Sequence, residues 1–65
     1  MRNPDRIYDF CNRLANVWHD NCSQWRFGQL MCNVLGEMSH GGCDPFFPED
    51  DEMIEFFENY FKKEE

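Results

Sequence analysis

Asn3-Pro4-Asp5-Arg6-Ile7-Tyr8-Asp9-Phe10-Cys11-Asn12-Arg13-Leu14-Ala15-Asn16-Val17-Trp18-His19-Asp20 is the stretch whose reading decides the fold. Ile7, Cys11, Leu14 and Trp18 recur with the 3.6-residue period of an amphipathic helix, flanked by Tyr8, Phe10, Ala15 and Val17. Asp9, Asn12, Arg13 and Asn16 take the opposite side. Asn3 is a favourable N-cap, Pro4 suits the first helical position, and Asp5 favours the positive end of the helix dipole. The pattern predicts a helix over about 4–20. Asn21 is expected to end it in the left-handed conformation.

Working outward, Phe27, Leu30, Met31, Val34, Leu35 and Met38 form a second apolar stripe. It predicts a helix over about 24–38 with Ser23 as N-cap. Gly28, Cys32 and Gly36 make a column of small residues at i, i+4 and i+8. The expectation is close packing of another helix of the same chain on this column, with a helix contact between two copies as the alternative. Ser39-His40-Gly41-Gly42 stops the helix. Asp44-Pro45-Phe46-Phe47-Pro48 is a stiff connector with two adjacent rings, expected to plug an end of the bundle or, if exposed, to anchor a partner. Met53, Ile54, Phe56, Phe57, Tyr60 and Phe61 define a third helix over about 50–63, with acids at its start and Lys62-Lys63 at its end. No strand pattern or repeat is present. The expected architecture is all-α, a three-helix bundle forming one domain over 1–65.

Sixty-five residues lie near the lower size limit for a chain that folds alone. The aromatic share of 17% argues for a packed core and against disorder. No apolar run is long enough to span a membrane. The opening residues lack the apolar stretch of a signal peptide, so a cytoplasmic protein is expected, with Cys11, Cys22, Cys32 and Cys43 as thiols. An oxidised, secreted chain is the alternative.

Charge is distributed unevenly. Residues 1–42 balance Arg2, Arg6, Arg13 and Arg26 against Asp5, Asp9, Asp20 and Glu37. The net charge of -7 therefore belongs entirely to residues 43–65. Such a field repels phosphate backbones, so direct nucleic-acid binding is not expected; it attracts basic surfaces.

Two His-x-x-Cys pairs, His19 with Cys22 and His40 with Cys43, have zinc-like ligand types. They follow successive antiparallel helices, so roughly 20 Å should separate them and no metal site is expected. Catalysis through a Cys–His pair would need an orienting group and an oxyanion site, neither of which is signalled. His19 and Asp20 are neighbours that should point about 100° apart. Cys11, within the first stripe, reads as a small buried hydrophobe. The acid run 49–52 lacks the glycine turn and ligand alternation of a calcium loop. The chain is thus read as no enzyme, without a cofactor.

At Arg26-Phe27-Gly28-Gln29-Leu30 and at Asp44-Pro45-Phe46-Phe47-Pro48-Glu49-Asp50-Asp51-Glu52-Met53 the chain resembles a family of small, uncharacterised bacterial and prophage proteins. The opening, Arg2 to Ile7 through Trp18, fits the same pattern. The resemblance implies a short helical fold and a phage or mobile-element setting, with host cytoplasm as the location. The four cysteines and Ser39-His40-Gly41-Gly42 depart from it. Arg26 and Gln29 flank an apolar stripe, and Arg26 is expected to pair with the acids that open the third helix, tying the two segments together alongside Asp44.

The functional expectation is a protein-binding, inhibitory module, an anti-defence protein in a phage setting. It would present Asp50, Asp51, Glu52, Glu55 and Glu58, with Phe46 and Phe47, to a basic surface of a host protein. A structural module that homodimerises through the second helix is the alternative.

Overall fold

The computed structural model describes residues 2–62 and contains three helices and, among these residues, no strand. They are α1 (Arg6–Asn21), α2 (Phe27–His40) and α3 (Asp50–Lys62). The expected C-terminal position of the third helix, Lys63, lies outside the described residues. Ion pairs join Arg6 to Asp50 and Arg13 to Glu58, so each step of two turns along α1 matches two turns along α3. The two helices therefore run parallel, and α2 returns between them: an up-down-up three-helix bundle.

Each helix boundary has a local cause. The Asn3 side chain accepts the Asp5 N–H at 2.9 Å, as an N-cap should. The next three amides donate to carbonyls three residues back, so the chain opens with a tight turn and α1 proper begins at Arg6, later than the periodicity suggests. At the other end Asn21 stays helical, because no described residue other than glycine has positive φ. Its side-chain amide Nδ2 instead donates to the Val17 carbonyl at 2.9 Å. The expected left-handed Asn21 is not used.

Ser23 is not the cap of α2. A turn closed by the Trp25 N–H on the Cys22 carbonyl occupies 22–25, and the helix starts at Phe27 with extended Arg26 before it. Gln29 reaches back to accept the Arg26 N–H at 2.8 Å. The helix extends to His40 and closes with paired bonds, Cys43 N–H to Met38 and Gly42 N–H to Ser39. Gly42 sits at φ 96°, a conformation that favours glycine. Before α3, Glu49 donates its N–H to the Glu52 carboxylate at 3.0 Å, so one acid of the run caps the helix.

The core gathers Val17 and Cys22 from α1 and its end, Leu30 and Val34 from α2, and Ile54 and Phe57 from α3. Leu30 and Val34 are fully buried. The inward stripe of α1 is rotated from the expected one: Phe10, Leu14, Val17 and Trp18 pack on the core, whereas Ile7 and Cys11 are exposed. The rotation turns Arg6 and Arg13 toward the acids of α3. Cys22, not Cys11, is the buried thiol. Rings close the far end, where the Trp18 indole donates to the Trp25 carbonyl at 3.0 Å and Trp25 lies 5.9 Å from Phe61.

Candidate binding surface

The acids of α3, with Glu49 just before it, separate into two groups. Arg2 pairs with Glu49, Arg6 with Asp50 at 2.7 Å, and Arg13 grips Glu58 through two bonds of 2.8 and 3.0 Å. These contacts form a charged seam along α1 and α3, floored by Phe10 and Ile54. The two hydrogen bonds from Arg13 hold the Glu58 carboxyl below its ordinary value, against partial desolvation that pushes it up. Glu58 raises the Arg13 guanidinium in return. Asp50 and Glu58, expected on an outward binding face, are internal partners of α1.

The remaining expected face is smaller. Asp51 borders the seam, its carboxylate accepting the Glu52 N–H at 2.9 Å. Asp51, Glu52 and Glu55 are exposed and join no ion pair among the described residues. Glu52 stands one turn before Phe56, on the flank of α3 turned away from the arginines, whereas Glu55 lies between that flank and the seam, close enough to act on the Arg13 guanidinium.

Phe46 and Phe47 do not plug the bundle. They are 83% and 73% exposed and pack edge to face, with ring centres 5.0 Å apart. Asp44 sets their turn, accepting the Phe46 N–H on its side chain at 3.0 Å and the Phe47 N–H on its carbonyl at 3.2 Å. The sequence named this pair; only the fold shows that nothing in the described chain covers it.

Two further expectations are corrected. Arg26 is exposed and pairs with no carboxylate among the described residues, because it stands before α2 at the end of the bundle where Trp25 meets Phe61, opposite the start of α3. Gln29 serves as a backbone cap. The column Gly28, Cys32 and Gly36 is not packed inside the bundle: Cys32 is exposed, and no described atom beyond the local helix lies within 4 Å of where a β-carbon would stand on either glycine. The buried face of α2 is Leu30, Val34 and Met38, and the small column points the other way.

His19 and Asp20 meet despite their angular separation, Nδ1 lying 2.8 Å from the carboxylate, on the open surface. No nucleophile joins them. The nearby Cys22 thiol is buried, which pushes its pKa up and favours the neutral form. Among the described residues no three His, Cys, Asp or Glu side chains are grouped to hold a metal, and no helix is long and apolar enough to cross a membrane. What the sequence missed is a groove of about 460 Å³ between the C-terminal half of α2 and α3. Its walls come from 37–43 and 56–60, and no local periodicity could bring those segments together.

No protein-family model matches the chain, and neither a curated protein nor a solved structure shows significant similarity to it.

Proposed function

We propose that this chain is a protein-binding module whose contact surface is the Phe46–Phe47 pair bordered by Asp51, Glu52 and Glu55, and whose partner is a protein with a basic rim. The observation that carries the reading is the exposure of both rings on a turn that Asp44 holds. Two aromatic side chains left in water and fixed before contact lose little further freedom on binding, which is how interface anchors gain affinity. The exposed acids on the adjoining turns of α3, which join no ion pair among the described residues, would steer a cationic surface toward them. The resemblance to the prophage family supplies the setting, an inhibitor directed at a host protein.

Affinity capture from host lysate tests this when the same captured protein is quantified for variants. A Phe46→Ser/Phe47→Ser chain should lose the partner while melting like the parent. Asp51→Asn with Glu55→Gln should weaken capture most at low salt. Equal recovery by all three chains would reject the reading.

A second reading, homodimerisation through α2, draws on the outward position of Gly28, Cys32 and Gly36. Light scattering over low-micromolar concentrations separates the two: a dimer mass favours it, and a monomer mass throughout removes it.

A further inference from the structure

The charged side chains of α1 and α2 are all gathered beside α3. Arg6 and Arg13 pair with Asp50 and Glu58, Asp9 lines the same seam, and Asp20 borders Glu58 and Lys62. Glu37, the only Asp, Glu, Lys or Arg of α2, lines the groove shared with α3. The third side of the bundle, made by α1 and α2 and turned away from α3, therefore carries no such residue of either helix. It is also apolar. Ile7 is 49%, Phe27 55% and Tyr8 71% exposed, and Cys11 and Cys32 are open to solvent beside them. Phe27 meets Trp18 with ring centres 5.8 Å apart, which joins the two helices across this side. Gly28 and Gly36 stand one turn to either side of Cys32, with no described atom beyond the local helix within 4 Å of a β-carbon position. Another backbone has room to approach closely there. An exposed apolar surface of this kind marks a contact site.

We propose that a second copy of the chain docks on this side, α1 and α2 of one copy against α1 and α2 of the other about a two-fold axis. Charge selects that occupant. A basic protein is drawn to α3 instead, and an anionic membrane is repelled by a chain of net charge -7. Between two copies the repulsion is small on this side, because residues 1–42 balance to zero and the two α3 helices would stand roughly 25 Å apart, three helix-packing distances. That is about three Debye lengths at physiological salt. The ends match as well. Asp5 precedes α1 and Arg26 precedes α2, so they stand at opposite ends of the antiparallel pair, and neither joins an ion pair among the described residues. A two-fold axis lying across the helices brings Arg26 of one copy to the end that Asp5 of the other occupies. The proposal rests on the second reading, a dimer through α2, and adds the α1 half of its surface; it leaves the ring pair and the acids of α3 to a different partner.

Sedimentation equilibrium of the full chain under reducing conditions, over low- to high-micromolar concentrations, should show a monomer–dimer equilibrium. Tyr8→Glu and Cys32→Glu each set like charges against one another across the axis. Either should raise the dissociation constant by about tenfold or more, with circular dichroism unchanged. Phe46→Ser/Phe47→Ser should dimerise like the parent. A short bismaleimide should trap the dimer covalently through Cys11 or Cys32, so the Cys43→Ser chain is still trapped and Cys11→Ser/Cys32→Ser is not. A monomer mass at every concentration would overturn this inference together with the α2 dimer. Disruption by Cys32→Glu and not by Tyr8→Glu would keep the α2 dimer and reject the α1 half. Loss of the dimer in Phe46→Ser/Phe47→Ser would move the contact to the ring pair. A monomer whose tryptophan emission shifts blue with phosphatidylcholine vesicles would give the surface to lipid instead.

Discussion

The two flanks of α3 solve different problems with the same kind of residue. Toward α1, Glu49, Asp50 and Glu58 are matched by three arginines over a floor of Phe10 and Ile54. Toward α2, the rings of Phe56 and Tyr60 border an open groove, and Glu52 joins no ion pair among the described residues. Acidity by itself therefore says little about function in this chain. An acid matters for binding only where the fold has not already supplied its counter-charge. The seam sets the parallel register of α1 and α3, and the groove lies on the flank turned toward α2.

What both flanks share is the core, and breaking it has the largest effect. Leu30→Ala removes a fully buried side chain and should cost about 2–5 kcal/mol. A chain of this size has roughly 3–10 kcal/mol of stability in total. Thermal unfolding followed by circular dichroism should show a broad, early transition or none. An unchanged midpoint would mean that α2 does not pack as described.

Two glycine substitutions sharpen the comparison at the next level. Gly42→Ala forces alanine to φ 96° at the foot of the groove and should lower stability by about 1 kcal/mol. Gly36→Ala meets open space in a helix interior and should raise stability by about 1 kcal/mol. The midpoint shifts should have opposite signs, each of several degrees. Loss of stability in Gly36→Ala, growing with protein concentration, would place a second copy on α2.

The seam itself should give a smaller, pH-dependent signal. The folded carboxyl of Glu58 is held below its ordinary value of 4.5, so its contribution is complete above that pH. It is lost as pH falls through the lowered value, where the native carboxylate takes up its proton. Glu58→Gln should melt a few degrees earlier than the parent at pH 7, and the difference should shrink on acidification below 4.5. A difference that persists at pH 2 would assign the effect to packing. Smallest is the response to salt: raising ionic strength should weaken the exposed Arg2–Glu49 pair more than the half-buried Arg13–Glu58 pair. Comparing melting shifts of Arg2→Ala and Arg13→Ala at low and high salt checks this ranking.

The legible parts of the sequence were those governed by local rules. Periodicity located the three helices because one face of each must leave water, and Leu30, Val34, Ile54 and Phe57 lie inside as their spacing requires. Caps were less legible: Ser23 and Gln29 both lie near the start of α2, and the turn closed by Trp25 decided in favour of Gln29. The rotation of α1 that exposes Cys11 was hidden, since Ile7–Cys11–Leu14–Trp18 and Phe10–Leu14–Val17–Trp18 are equally good stripes. Only the arginine seam to α3 distinguishes them.

By itself the sequence determined three amphipathic helices, their order and approximate ends, a ring pair between prolines, and the concentration of negative charge after residue 42. Tertiary structure decided which carboxylates are matched, that the small column of α2 faces outward, that Phe46 and Phe47 stay uncovered within the described chain, and that a groove opens beside Glu37. The physical reason is range. Helix formation follows contacts within four residues, whereas ion pairing across 45 positions and the shape of a groove exist only after separate helices have docked.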